Sequence, residues 1–149
     1  MNEVLIVDGY NIIGAWPELS RLKDIQLEEA RDRLVEILAD YQAFSGTTVI
    51  VVFDAHRVPG PGGKYMEKGL QIYYTREKET ADELIERLVS EWSGRRTRLS
   101  VATSDMTEQH VIFGQGALRI SARELLLKVQ ESEREVRRRI DETPPVKRN

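Results

Sequence analysis

The sequence predicts an α/β fold: a three-layer α/β/α sandwich around a five-stranded, mainly parallel sheet. Residues 4–7 and 49–53 form two continuous apolar runs, rich in β-branched residues. Neither run alternates with polar residues, which is typical of strands buried on both faces. Between them, apolar side chains recur every three or four positions over residues 27–41, which predicts an amphipathic helix that Ser45-Gly46 can end. Strand, helix and strand in this order indicate a right-handed crossover between parallel strands.

The same alternation continues along the rest of the chain. Further strands are predicted over residues 70–74, 99–102 and 117–120, and helices over 81–92, 107–113 and from 121 onward. Thr80-x-x-Glu83 and Ser121-x-x-Glu124 are capping boxes that begin two of these helices. We expect one domain over residues 1–142. The stretch 143–149, which contains two prolines, is expected to be a flexible tail.

The composition alone excludes several classes of function. The chain has 149 residues, a usual length for one domain, and 22 Lys and Arg against 25 Asp and Glu give a net charge of −3. This balance excludes a globally basic nucleic-acid binder but leaves room for a local basic face. The absence of cysteine excludes disulfides, thiolate nucleophiles and Cys-ligated zinc, and two histidines make a histidine-rich metal site a poor expectation.

The hydropathy pattern predicts a cytoplasmic protein without a membrane anchor. No apolar run approaches the roughly 20 residues that a bilayer core requires. The first residues reach Asp8 almost at once, so they lack the basic region and the apolar core of a signal peptide.

Aspartates are concentrated where the predicted strands reach one edge of the sheet. Asp8 and Asp54 directly follow two of the strands, and Asp105 comes shortly after the strand over residues 99–102. A fourth aspartate, Asp82, lies in the first turn of the helix after the third strand. Each alone would fit a helix cap or a turn. In open α/β sheets, however, ligands bind outside the carboxyl ends of the strands. Convergent carboxylates repel one another unless a cation compensates them, so the pattern predicts a metal site.

The ligand types indicate which metal and which chemistry. Oxygen ligands without cysteine suit Mg²⁺ or Mn²⁺ better than Zn²⁺. Such ions hold phosphate oxygens, orient an attacking water and stabilise a leaving oxygen. Because no Ser-His or Cys-His pair is evident, the inferred reaction is phosphodiester hydrolysis without a protein nucleophile.

Four short motifs resemble those of the NYN nucleases, relatives of the PIN domains, and the likeness is greatest to the bacterial YacP-type NYN proteins. The motifs are Asp8-Gly9-Tyr10-Asn11, Phe53-Asp54-Ala55, Thr80-Ala81-Asp82 and Thr103-Ser104-Asp105. The resemblance extends from Asn2 to about Arg139. It implies strand order 3-2-1-4-5 and a ribosome-associated, metal-dependent endoribonuclease that acts on mRNA.

The resemblance also implies roles for individual residues. Three aspartates match the acidic, metal-binding catalytic positions: Asp8, Asp82 and Asp105. Asn11 would orient Asp8 or a phosphate oxygen. Asp54 matches the second-strand aspartate, which either contacts substrate or orders its loop. Glu79 is a candidate outer ligand, and the role of His56 stays open.

A basic stretch with interleaved tyrosines is a candidate RNA contact. Residues 57–78 contain five basic residues against two acidic ones: Arg57, Lys64, Lys68, Arg76 and Lys78 against Glu67 and Glu77. Arg57, Lys64 and Lys68 are expected to contact the phosphate backbone, and Tyr65 is a candidate for base stacking. A second basic loop over residues 93–98 should lie at the opposite edge, where it suits ribosomal RNA or is merely solvated.

Other functional classes fit the sequence less well. A receiver-like phosphoryl-transfer domain would require an acidic pair at the end of the first strand, where Gly9 follows Asp8. An aspartyl phosphatase would require a second acid at Tyr10. A non-catalytic RNA- or ribosome-binding module on the same fold stays an alternative, although it gains nothing from acids that repel phosphate. The sequence leaves open the number of metal ions, the RNA sequence that is cut and the oligomeric state.

Overall fold

The computed structural model describes residues 2–55, 62–104 and 116–142. The strands are β1 (Asn2–Asp8), β2 (Thr48–Phe53), β3 (Gly63–Glu67), β4 (Leu70–Tyr74), β5 (Thr97–Ala102) and β6 (Leu118–Ile120). The helices are α1 (Gly9–Ala15), α2 (Pro17–Ile25), α3 (Leu27–Ser45), α4 (Ala81–Trp92) and α5 (Ala122–Glu142).

The described strands form one sheet with the order β3-β4-β2-β1-β5-β6. All neighbouring strands are parallel except β3 and β4, which form an antiparallel hairpin. Without β3, this order is the predicted 3-2-1-4-5, so the predicted mainly parallel α/β/α sandwich is confirmed. The parallel strands all end at one edge of the sheet, called the carboxyl edge below, and begin at the opposite amino edge.

Helices cover both faces of the sheet because alternate strand residues are buried on opposite sides. Leu5 and Val7 of β1 pack in one core with residues of α1, α2, α3 and α5. Val4 and Ile6 pack in a second core with one face of α4. We call these two sides of the sheet the α3 face and the α4 face.

Most predicted elements are confirmed, and their ends follow local signals. Helix α3 ends at Gly46, whose φ of 77° is the left-handed conformation that glycine favours at a helix C-terminus. Thr80 and Glu83 form the predicted capping box of α4. At α5, the Ser121 hydroxyl accepts from the Glu124 backbone N–H (3.0 Å).

The prediction of five strands was wrong by one, because β3 forms where only a loop was expected. The strand lies at the edge of the sheet and residues 64–67 are exposed, so it has no alternating apolar pattern to reveal it. Lys68 and Gly69, with φ of 52° and 81°, form the two-residue turn to β4. Helices α1 and α2 were also not predicted.

Two sequence predictions lie outside the described residues: the helix over 107–113 and the tail over 143–149. Within the described ranges, none of the helices has the length and apolar character needed to cross a membrane.

Candidate active site

Asp8 is a nearly buried carboxylate at the carboxyl edge. It ends β1 and is 9% exposed, and the wholly buried Thr103 donates a hydrogen bond from Oγ1 to its Oδ2 (3.1 Å). Strands β1 and β5 are neighbours in register, Val7 opposite Ala102, so Thr103 follows β5 beside the aspartate. A buried carboxylate requires such donors, because burial of an uncompensated charge is costly.

A second contact ties the beginning of α1 to the chain after β5. The side-chain Oδ1 of Asn11 accepts from the Ser104 backbone N–H (2.7 Å). The sequence predicted that Asn11 orients Asp8 or a phosphate oxygen, and its observed partner is the backbone of Ser104, the residue before Asp105. The bond holds the Ser104 backbone against the first turn of α1, and Asp105 lies outside the described residues.

Asp54 and the first turn of α4 also lie at the carboxyl edge. Asp54 follows β2, and its Oδ2 accepts from the Ala81 backbone N–H at the start of α4 (3.4 Å). This contact docks the first turn of α4, which carries the half-buried Asp82, against the end of β2. Because β1 and β2 pair with Asp8 opposite Val52, the structure brings Asp8, Asp54 and Asp82 to the same edge.

Glu79 has a structural partner that argues against a role as an outer metal ligand. Its carboxylate forms an ion pair with Arg87 (3.1 Å) and accepts from the Arg76 backbone N–H (3.1 Å). These contacts close the turn between β4 and α4. The carboxylate is therefore occupied in holding the turn that positions Thr80 and the start of α4.

The oxygen donors of this edge fit Mg²⁺ or Mn²⁺ in type. Asp8 and Asp82 are hard carboxylate ligands, and the chain has no cysteine to favour a softer metal. Within residues 2–55, 62–104 and 116–142, no three Asp, Glu, His or Cys side chains are grouped closely enough to hold a metal. Asp105, the third predicted metal ligand, lies outside these ranges.

The antiparallel direction of β3 separates the lysines that the sequence had grouped. Lys64 lies near the start of β3, beside the carboxyl edge, with its Nζ 5.7 Å from the centre of the Tyr73 ring. Lys68 lies in the turn at the amino edge, where Gly69 accepts from the Gln42 side chain (2.8 Å). A five-residue strand spans about 13 Å, so Lys68 is remote from Asp8. Arg57 lies outside the described residues.

The basic loop over residues 93–98 lies at the amino edge, as predicted, since Thr97 pairs with Asn2 at the start of β1. Arg95 stacks on the Trp92 ring, 4.5 Å from its centre. Arg98 forms an ion pair with Glu3 (3.3 Å). This loop faces away from the acidic edge.

Sequence reasoning assigned no role to Thr103, Gly9 or Arg31. Thr103 stood in a quoted motif, but only the strand register shows that it reaches Asp8. Gly9 approaches the end of β2 so closely that a Cβ would lie 2.5 Å from the Phe53 ring. Arg31, on α3, has a buried Nε without a hydrogen-bond partner, and no local pattern marks it.

Comparisons with known proteins agree with this fold. The YacP-like NYN domain matches residues 5–149 of the chain. The chain is similar to the uncharacterized protein YacP of Bacillus subtilis (strain 168), with 53% identity over 138 residues, which cover 93% of this chain and 81% of that protein.

Two solved structures, both of Rae1 (YacP) from Bacillus subtilis, are similar to most of this chain. The crystal structure of a mutant form has a TM-score of 0.83 and 50% identity, and the match covers 95% of this chain and 82% of that one. A second crystal structure has a TM-score of 0.80 and 53% identity, over 93% of this chain and 79% of that one.

Proposed function

We propose, because the chain belongs to the YacP-like NYN domain family, that it is a metal-dependent endoribonuclease that hydrolyses RNA phosphodiester bonds. NYN domains are generally nucleases with a PIN-like fold, and such nucleases typically use divalent metals. The substrate proposed for this chain is mRNA, cut in association with the ribosome and therefore in the cytoplasm. The nuclease domain would span residues 1–142.

The observation that carries the proposal is the buried carboxylate of Asp8 at the carboxyl edge. A protein gains no stability from a nearly buried acid at the end of a central strand, since burial of a charge is costly. Here the chain supports it with the buried Thr103 hydroxyl and places the acidic ends of β2 and α4 at the same edge. Preorganised acids of this kind are the usual signature of a functional site.

The proposed catalytic residues are Asp8, Asp82 and Asp105, which would hold Mg²⁺ or Mn²⁺. The metal would supply stabilisation of charge on the phosphate and a more acidic bound water. Thr103 would keep the Asp8 carboxylate in place, and Asn11 would direct Ser104 and the residue after it. Asp54 would position α4 and its Asp82 rather than contact the reacting phosphate.

Substrate contacts are proposed on the side of the edge nearest β4. Lys64 is one of the described lysines beside the acids, and Arg57 would join it there. Lys68, at the amino edge, would contact a distant part of the RNA or the ribosome. Positive charges beside an acidic centre are needed to bring a polyanion close to carboxylates that repel it.

The experiment is a cleavage assay with Mg²⁺ or Mn²⁺ on RNA, with and without ribosomes, comparing wild type with Asp8→Asn. The matched control is Asp40→Asn, which makes the same substitution at an exposed aspartate of α3. We expect wild type and the control to cleave, and Asp8→Asn or added EDTA to abolish cleavage. Loss of one acidic metal ligand typically costs several kcal/mol of transition-state stabilisation.

Cleavage that survives both EDTA and Asp8→Asn would disprove the metal-dependent mechanism. If wild type binds ribosomes or RNA but cuts neither free nor ribosome-bound RNA, the non-catalytic binding module becomes the better description. Asp8→Asn would then leave binding unchanged or strengthen it, because a repelling charge is removed.

A further inference from the structure

Three basic residues lie at the corner of the carboxyl edge where β3, β4 and the start of α4 meet. Lys64 of β3 is paired with Tyr73 of β4, and its Nζ lies 5.7 Å from the centre of the Tyr73 ring. That ring packs against the core on the α4 face, so the ammonium group of Lys64 lies on this face too. Arg76 and Lys78 follow in the turn that leads from β4 to α4. We call Lys64, Arg76 and Lys78 the basic corner.

The turn that carries two of these residues is anchored on both sides. The Arg76 carbonyl accepts from the Glu79 backbone N–H (3.0 Å), and the Glu79 carboxylate accepts from the Arg76 backbone N–H (3.1 Å). The same carboxylate forms an ion pair with Arg87 of α4 (3.1 Å). Thr75, just before the turn, is buried, and its Oγ1 accepts from the Ala55 backbone N–H after β2 (2.6 Å). The backbone of the turn is therefore fixed to the sheet and to α4.

Lys78 has a backbone conformation that lysine rarely adopts. It is the third residue of the turn, and its φ of 67° lies in the left-handed region, where glycine and asparagine are favoured. Its side chain is exposed and forms no hydrogen bond or ion pair with the part of the chain that the structure describes. No contact of its own therefore offsets the strain, and its ammonium group is open to a ligand.

The basic corner lies beside an acid that α4 brings to the carboxyl edge. Lys78 precedes Asp82 by four residues, so their Cα atoms are at most about 14 Å apart. Because Arg87 neutralises Glu79, Glu77 is the remaining acid of the turn, and the basic corner keeps a net positive charge. An RNA strand with one phosphate at the acids would carry a flanking phosphate past this charge.

We propose that Lys78, supported by the charges of Lys64 and Arg76, binds an RNA backbone phosphate that flanks the cut bond. Lysine binds a phosphate as a point charge, whereas recognition of a base edge favours planar groups with two donors. The bound strand would thus leave the acids across the α4 face, between β3 and the start of α4. The inference rests on the proposed function, because RNA is the ligand.

Binding in EDTA, where metal-dependent cleavage is prevented, tests the role of Lys78. The probe is a fluorescein-labelled RNA hexanucleotide, and fluorescence anisotropy gives its affinity at a series of salt concentrations. For Lys78→Gln, the slope of log affinity against log salt should be smaller by about 0.7, the value of one phosphate contact on a single strand. The affinity at about 50 mM salt should fall about fivefold to tenfold. Lys78→Arg keeps the charge and should bind as wild type does.

Lys128→Gln is the matched control, because it removes the same charge from an exposed lysine on the other side of the sheet. Lys128 belongs to α5, which packs on the α3 face. Its variant should keep the affinity and the salt slope of wild type. Equal losses in Lys128→Gln and Lys78→Gln would show that only the net charge of the protein matters, and would overturn the basic corner. A Lys78→Gln protein with the wild-type slope would overturn it as well.

Lys78→Gly separates a role in binding from a role in folding. Glycine adopts a φ of 67° without strain, so this variant should be at least as stable as wild type in urea denaturation. Its affinity for the hexanucleotide and its salt slope should nevertheless fall as in Lys78→Gln. A Lys78→Gly protein that binds the hexanucleotide as wild type does would refute the phosphate contact.

Failure of the basic corner and failure of the nuclease are separable. In the cleavage assay, Lys78→Gln should raise KM and change kcat little, because a flanking phosphate is held equally in the ground state and the transition state. Asp8-dependent cleavage combined with binding that ignores Lys78 would overturn the basic corner alone. Lys78-dependent binding by a protein that never cleaves would overturn the nuclease and leave an RNA-binding module.

Discussion

Gly9→Ala tests how closely the site depends on the packing of the Tyr10, Phe53 and Tyr74 rings beneath it. Gly9 is the first residue of α1 and follows Asp8 directly. A Cβ at this position would lie 2.5 Å from Cε1 and 2.7 Å from Cδ1 of Phe53, and 2.9 Å from the carbonyl oxygen of Val52. The Phe53 ring cannot move aside easily, since it is wholly buried between Tyr10 and Tyr74. The carbonyl belongs to a central strand and cannot move either.

The magnitude follows from two opposing terms. Overpacking of a buried site costs typically 1–3 kcal/mol, and here ring and backbone atoms are both too close, so about 3 kcal/mol is expected. Alanine is favoured over glycine in a helix by at most about 1 kcal/mol, which offsets part of this cost. We therefore expect the free energy of unfolding to fall by about 2 kcal/mol and the Tm by about 4–8 °C.

Gly14→Ala is the control, because it makes the same substitution in the same helix. A Cβ on Gly14 would meet only the Lys23 Nζ, at 3.6 Å. This variant should therefore be as stable as wild type or gain up to about 1 kcal/mol. Urea denaturation of the three proteins measures the differences. A Gly9→Ala protein as stable as Gly14→Ala would refute the close approach of α1 to β2.

Two further predictions concern buried polar groups. Thr103→Val removes the hydroxyl that donates to Asp8, so we expect the free energy of unfolding to fall by about 1–3 kcal/mol. Thr103→Ser keeps a hydroxyl and should recover most of this loss. Equal urea midpoints for the Val and Ser variants would contradict the prediction. Burial raises the pKa of Tyr74 above its usual value near 10. The contribution of the protonated Tyr74 side chain to the free energy of unfolding should therefore be complete below about pH 10. It should decline as the pH rises through the folded-state pKa. The urea midpoint should fall less steeply from pH 9 to pH 11 in Tyr74→Phe than in wild type.

The sequence was sufficient to predict the sheet because buried strands and amphipathic helices leave periodic signals. Residues 49–53 and the helix over 81–92 are examples, and α4 has the predicted bounds. Helix α1 left no such signal: it has seven residues, begins at an Asp-Gly pair that is typical of a turn, and contains a second glycine. Strand β3 is exposed and pairs only with β4, so its existence depends on a tertiary contact.

The candidate site was also predictable from the sequence only in part. Aspartates at strand ends could be predicted to share an edge, because the ends of parallel strands converge whatever their side chains do. The contacts that orient them could not, since they join residues far apart along the chain: Asp54 and Ala81 are 27 positions apart, and Asp8 and Thr103 are 95. The opposite positions of Lys64 and Lys68 also depend on the direction of β3, which no local pattern encodes.

The position of Asp8 shows why a residue type common at helix starts need not be structural. Asp8 is the N-cap of α1, and an aspartate there would ordinarily accept from the backbone N–H groups of its own helix. Its side chain makes no such cap bond, whereas Thr80 caps α4 in the usual way. The Asp8 carboxylate instead accepts from Thr103, across the boundary between two strands. Helix α1 thus begins without its usual side-chain cap, a cost of about 1 kcal/mol. The cap bond would have been locally favourable, but Asp8 does not form it. The orientation of its carboxylate is therefore better explained by the proposed acidic site at the carboxyl edge than by the stability of α1.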